Sequence, residues 1–229
     1  MRESNRGPGK PGLRFLAAAL LLTSAAGMLA EKQPQPLPKA FHANTYPAHE
    51  SHDDEKVSIA VDPYDMPDKA AIFVVNYKAS GFLPMQFIIS TDGDQPVSLV
   101  NMQVELITVD RSQIPPATVD DLYRRLGKQT RRGDEPQRNP LPVPLPRRKV
   151  KPSVSKEAQA EIESMLFRAV AVEPHSLQSG FLLFDVQDIP NPLAGARLYV
   201  HGLRDHNGKE LFYFEIPLEK YLTYRPGHP

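Results

Sequence analysis

The chain has no cysteine among its 229 residues. It therefore holds no disulfide, no thiolate zinc site, no cysteine nucleophile and no lipid attached through an N-terminal cysteine, and its stability comes from an apolar core whatever the redox state of its compartment. Net charge is missing as well. The 27 basic residues balance 27 acidic ones, which argues against bulk electrostatic attraction to nucleic acid or membrane. Glycine is scarce, 13 residues without a cluster, so there is no glycine-rich loop to cradle a phosphate. A Gly-x-Ser-x-Gly nucleophile elbow is absent too.

The N-terminus is the most informative stretch that is present. Arg2, Arg6, Lys10 and Arg14 precede an apolar run over residues 15–22 that fades into Ser24-Ala25-Ala26. A basic start, a short apolar run and small residues make a secretory signal. Residues 1–26 are read as that signal, with cleavage after residue 30 as the second choice because Met28 is bulky. An uncleaved anchor is the alternative, since residues 13–30 carry no acid and a spanning helix needs about 17 to 25 residues. The expectation is an exported protein, periplasmic or extracellular, that meets a membrane only if this segment stays attached. Residues 27–55 read as a flexible polar tail, and residues 56–225 as one domain with enough chain for a sizeable core.

Within that domain the apolar residues recur with period two. Val57, Ile59 and Val61 fall on one face, as do Met85, Phe87 and Ile89, and then Met102, Val104 and Leu106. Each run predicts a strand with one buried and one wet face. Residues 72–77 and 181–186 are apolar on both faces and predict central strands. Near the C-terminus Ala196, Leu198 and Val200 alternate with polar positions, Asn207-Gly208 follows, and Phe212, Phe214 and Ile216 alternate again. Asn-Gly favours a tight turn with two positive-φ positions, so the two runs are expected to pair as a hairpin with Leu106, Leu198, Val200, Phe212 and Phe214 in the core.

Two helical patterns interrupt the strands. Thr118 and Asp121 make a capping-box-like start, followed by Val119, Leu122, Tyr123 and Leu126 at helical spacing. Ser155 is the N-cap expected for a second helix with Ala158, Ile162, Met165 and Leu166 on one face. Between them Arg124, Arg125, Lys128, Arg131, Arg132, Arg138, Arg147, Arg148, Lys149 and Lys151 face only two acids, Asp134 and Glu135. Pro136, Pro140, Pro142, Pro144 and Pro146 lie in the same stretch. That composition favours extended polyproline II and reads as a solvated basic linker. The block from residue 111 to 167 is expected to be an insertion.

About seven to nine short strands without βαβ alternation point to an all-β protein built as an antiparallel β-sandwich. Val172-Glu173-Pro174, the Gly180-Phe181 strand running to Val186 and the closing hairpin of residues 198–218 resemble bacterial exported immunoglobulin-like domains of uncharacterised function. That resemblance implies an immunoglobulin-like sandwich and a role in binding or scaffolding. It transfers no catalytic residues.

Several polar groupings are candidate sites. His49, Glu50, Ser51, His52, Asp53, Asp54 and Glu55, with His42 upstream, have side chains suited to a divalent metal if His49 and His52 share one helical face. A flexible polar tail has the same composition. Asp62, Asp65 and Asp68, and likewise Asp92 and Asp94 around Gly93, invite calcium, but neither spacing matches a calcium loop and turns use aspartate in the same way. His175 with Ser176, Ser179 and the pair Asp185 and Asp188 are the only groupings for a hydrolase. Pro140 through Arg148 resembles a ligand for grooves that read polyproline II, and equally a spacer. The reading at this point is a non-enzymatic exported module without a cofactor or a resident metal. Its partner is expected to be a protein or an anionic envelope polymer, and nucleic acid is not expected. The alternatives are a divalent-metal-dependent protein using His49, His52 and Asp53, or a hydrolase whose site has no recognisable motif.

Overall fold

Valine, isoleucine and phenylalanine at alternate positions pack well on a pleated surface, and most runs that carry them are strands. A computed structural model describes residues 36–133 and 154–223. The first elements are β1 (His49–His52), β2 (Val57–Pro63), α1 (Pro67–Ala70), β3 (Phe82–Thr91), β4 (Val97–Ser98), β5 (Gln103–Ile107) and β6 (Gln113–Ile114). They are followed by α2 (Val119–Gly133), α3 (Lys156–Met165), β7 (Ala171–Val172), β8 (Leu177–Asp185), β9 (Arg197–His201), β10 (Phe214–Pro217) and α4 (Glu219–Thr223). One sheet has the order β1-β2-β3-β8, a second β10-β9-β5-β6, and β4 pairs with β7. Every pairing between these strands is antiparallel, and the described residues are mainly β with few helices.

The two larger sheets share one apolar cluster. Val57, Ile59, Val61, Met85, Phe87 and Ile89 of the first sheet meet Val104, Leu106, Leu198, Val200, Phe214 and Ile216 of the second. Burying each large side chain contributes about 1.5–3 kcal/mol, so this cluster is the main source of stability.

The wet faces expected on β2 and β3 do not exist. All ten residues of β3 are buried, and β2 is buried except at Asp62. At one end, Phe82, Phe181 and Leu183 pack beneath Leu122 and Leu126 of α2 and Ile162 and Met165 of α3. At the other, residues 36–46 lie over Ala60 and Ile88 with Ala43 against them. The polar residues on that covered face find partners in the covering chain. Gln86 Nε2 donates to the Pro38 carbonyl at 3.4 Å, and the Ser90 hydroxyl accepts the Ala43 amide at 3.1 Å. Residues 36–55 are thus not a free tail, and residues 49–52 extend the sheet as β1.

Helices α2 and α3 begin where side-chain caps were expected. The Thr118 hydroxyl accepts the Asp121 amide at 3.2 Å while the Asp121 carboxylate accepts the Thr118 amide at 3.3 Å, so two otherwise orphaned donors are satisfied. The Ser155 hydroxyl accepts the Ala158 amide at 3.2 Å. The first helix is longer than expected, running to Gly133 into the stretch read as basic linker, and β6 lies inside the stretch read as insertion. The remainder of the basic segment, with its Pro140 to Arg148 run, and the signal residues lie outside the described residues.

Residues 72–77 are not a strand. They form an irregular segment whose Phe73 and Tyr77 join the helical cluster and whose backbone is held by α3. Phe212 departs from expectation too, being 74% exposed, while Leu106, Leu198, Val200 and Phe214 are buried as expected. The hairpin does form, with Val200 opposite Phe214 and Leu198 opposite Ile216. Its turn differs from a two-residue Asn-Gly turn. Asp205 and Lys209 bracket three residues, and Gly208 alone takes a positive φ, 81°. That is the three-residue loop with a left-handed glycine. Gly202, at φ 82°, presses its backbone against the Asn101 carbonyl where any Cβ would collide. The alternation slips there, so Leu203 is buried and Phe212 opposite the slip turns outward.

Candidate functional site

A proline decides where a cavity opens. The Tyr64 amide donates to the Pro84 carbonyl at 2.9 Å, continuing the ladder between β2 and β3 by one bond. Pro84 has no N–H to return. The chain leaves the sheet at this point, turns through α1, and a cavity of about 510 Å³ lies beside Phe82, Leu83 and Pro84. Its far wall is the β8–β9 loop, with Gln187, Ile189 and Leu193, and Leu222 of α4 also borders it. A second cavity of about 340 Å³ reaches toward Phe73 and Tyr77 and shares Tyr64, Asp65, Lys78 and Pro84 with the first. The two make one groove with a largely apolar floor.

Behind the lining residues Tyr64 and Asp65 lies a set of interlocked polar groups. Lys69 Nζ lies 2.5 Å from Asp62 Oδ1 and 2.9 Å from the Pro63 carbonyl. It also sits over the rings of Tyr64 and Tyr221, 4.8 and 4.9 Å from their centroids. A cation between two aromatic faces and a carboxylate is held strongly because each contact is partly desolvated. The Tyr221 hydroxyl donates to Asp65 Oδ1 at 2.8 Å. Burial first, and then the nearby Asp62 charge, push the Tyr64 hydroxyl far above its ordinary pKa. Burial and the bond to Asp65 do the same to Tyr221. Both phenols keep their protons at neutral pH, so they offer hydrogen bonds rather than a base.

The groupings expected from sequence are distributed differently. His49 and His52 lie on β1, where residues three apart point to opposite faces, so they do not share a helical face. His49 Nδ1 is 2.5 Å from the Tyr46 carbonyl, and both ring nitrogens of His52 face glutamates, Glu55 at 3.1 Å and Glu50 at 3.4 Å. Among the described residues no three histidine or acidic side chains are arranged to hold a metal.

The aspartates also take separate partners. Asp62 pairs with Lys69, Asp65 with Tyr221, and Asp68 sits in the first turn of α1. Asp92 lies 3.3 Å from His42 and Asp94 2.8 Å from His175. The Ser176 hydroxyl donates to the Glu173 carbonyl at 2.6 Å, so His175 and Ser176 are turned to different partners. Asp185 takes both guanidinium nitrogens of Arg125, which also stacks on Phe82. Ser179 and Gly180 stand on β8 opposite Ile88 and Phe87.

The lining residues Tyr64, Asp65 and Lys78, and Lys69 and Tyr221 behind them, carry no motif. The one trace of the groove in the sequence is the pair Pro63 and Pro84, which marks where two buried strands part.

Among the described residues no helix is long and apolar enough to cross a membrane. No family model matches the chain, and no curated protein matches it. Among solved structures it is similar to a conserved hypothetical protein from Bacillus anthracis, with 8% identity over 74% of this chain and 97% of that one. The TM-score is 0.31, a likeness too slight to carry an argument about fold or function.

Proposed function

We propose that the protein is an exported, non-enzymatic, immunoglobulin-like β-sandwich that acts as a binding module at the cell envelope, with the groove beside Pro84 as its ligand site. The strand order supports the immunoglobulin-like reading. β2-β3-β8 corresponds to the A-B-E order of such domains, and β10-β9-β5-β6 to G-F-C with an added C′ strand. Export rests on the signal pattern of residues 1–26.

The observation that carries the binding function is the groove itself. Its volume of about 510 Å³ lies within the 300–1,000 Å³ or so typical of small-molecule sites, and a mostly apolar lining with a few polar groups is what such sites use. The ligand class is a compact apolar molecule with one hydrogen-bonding group, to meet Gln187, Asp65 or Lys78 in the lining. Binding is favoured over catalysis because the lining carboxylate, Asp65, is engaged by the Tyr221 hydroxyl, and Asp62 beside the groove is engaged by Lys69.

Ala194 lines the groove and is exposed, so Ala194→Trp fills the space without entering the core. Titration with 1-anilinonaphthalene-8-sulfonate is expected to saturate on the wild type and to weaken at least tenfold on the variant. Equal binding by a correctly folded variant overturns the groove as the site.

A further inference from the structure

The outer strand of each large sheet ends at the same seam. β1 closes the first sheet and β10 the second, and among the described residues neither has a strand beyond it on that side. Unpaired edges of this kind expose amides that water or another chain would take. Here acidic side chains take one amide on β10 and one just before it. The Glu50 carboxylate accepts the Glu215 amide, and Glu55 Oε1 accepts the Phe212 amide at 2.9 Å.

Between the two carboxylates stands one histidine. His52 Nδ1 lies 3.1 Å from Glu55 Oε2 and its Nε2 3.4 Å from Glu50 Oε1. The ring stacks flat on Phe214 of β10, with centroids 4.0 Å apart and planes 13° from parallel. The three side chains are mostly buried, 20% exposed for His52, 32% for Glu50 and 14% for Glu55. Each glutamate thus uses one oxygen on the β10 side and the other on the imidazole.

A neutral imidazole has one N–H and one lone pair, whereas an imidazolium has two N–H donors. Only the protonated ring can donate to both glutamates. In the neutral ring one carboxylate faces a lone pair, which repels it. We propose that His52 is a proton-operated clasp on the β1–β10 seam. With the proton bound, Glu50 and Glu55 are both held in place to cap β10. Without it, one of them is released and the amide it covers opens to solvent.

The other titratable groups on these and the adjoining elements are Asp53, Asp54 and Lys56 in the turn after β1, His49 on β1, Glu215 on β10, and Glu219, Lys220 and Tyr221 on α4. Glu215 is paired with Arg197 at 3.0 Å, Lys220 Nζ reaches the His49 carbonyl at 3.5 Å, and His49 itself is bonded to a backbone carbonyl. None of these bonds joins the two glutamates as His52 does. Closure is therefore strongest where histidine is charged and the carboxylates are ionised. It weakens when the ring gives up its proton, and again when either glutamate takes one up.

Amide hydrogen exchange on the full chain, corrected for intrinsic rates, tests the clasp. From about pH 5 to 8 the protection of the Phe212 or Glu215 amide is expected to fall roughly tenfold or more relative to a reference amide on β8, the scale of one hydrogen bond to a charged group. His52→Phe keeps a ring against Phe214 and removes both nitrogens, so its protection is expected to be low and independent of pH. If that variant fails to fold, the wild-type comparison stands by itself. Protection at both amides that tracks the β8 reference across the range, or a pH dependence that survives in His52→Phe, overturns the proposal.

Discussion

The Glu161 carboxylate of α3 accepts the Tyr77 hydroxyl at 2.9 Å, although the two residues are 84 apart in sequence. Its oxygens also accept the Val74 amide at 2.5 Å and the Val75 amide at 3.2 Å. Glu161 is only 4% exposed. One buried acid therefore replaces the sheet partners that residues 72–77 lack, and it fastens α3 to the irregular segment below it. The Tyr77 hydroxyl, buried and beside that carboxylate, is pushed far above its ordinary pKa and acts only as a donor.

Removing this acceptor leaves three donors without their partner. Glu161→Ala is expected to destabilise the protein by about 3 kcal/mol, and Glu161→Gln by less because one carbonyl acceptor remains. Urea unfolding of both variants checks the order. A loss below about 1 kcal/mol for the alanine variant would mean that water takes the carboxylate's place.

Phe214 is fully buried between the sheets while Phe212, two residues earlier, is 74% exposed. Phe214→Ala is expected to cost about 3–5 kcal/mol through the cavity it leaves. Phe212→Ala is expected to stay within about 0.5 kcal/mol of wild type. Similar midpoints for the two variants would show that the turn does not shift the alternation at Gly202.

The capping box of α2 predicts a pH-dependent helix start. The Thr118 hydroxyl, and then its amide, hold the Asp121 carboxyl below its ordinary pKa. A depressed carboxyl stabilises the folded state above the ordinary carboxylate range, and that contribution disappears as pH falls through the folded-state pKa. Wild type is therefore expected to exceed Asp121→Asn in stability at neutral pH, with the gap closing in acid below about pH 4. Thermal unfolding of both proteins across pH measures the gap. A gap that is constant down to the lowest pH contradicts the assignment.

Eight Lys or Arg lie between positions 128 and 151 of a chain with zero net charge, and we propose that they contact phosphate or carboxylate polymers. Replacing that stretch by a neutral linker is expected to abolish weak binding to anionic envelope material. Sedimentation with isolated envelope fractions at about 0.05 and 0.3 M salt measures it, because screening lengths shrink severalfold over that range. Binding that survives the replacement, or that ignores salt, removes the segment as a contact surface.

Local chemistry was legible in the sequence wherever the partner lies within a turn of helix or the next residue of a strand. Thr118 with Asp121 and Ser155 with Ala158 are caps whose donor and acceptor sit three residues apart. The alternation on β5 and β9 follows from the pleat alone. The candidate sites were less legible. A run of histidine and acidic residues looks alike whether it binds metal, waves in solvent or caps a strand edge, and only the approach of β10 makes it the last.

The sequence by itself determined that the chain is mainly β, that its covalent chemistry excludes disulfides, and which positions begin α2 and α3, because these depend on residue type and near neighbours. Tertiary structure decided what covers each face. β3 alternates like a half-wet strand, yet α2, α3 and residues 36–46 bury its second face, and Gln86 and Ser90 are tolerated there because the covering chain bonds them. Residues 72–77 are apolar enough for a central strand and became a loop because Glu161, far along the chain, supplies their hydrogen bonds. Such outcomes rest on contacts between residues remote in sequence, and no local spacing records them.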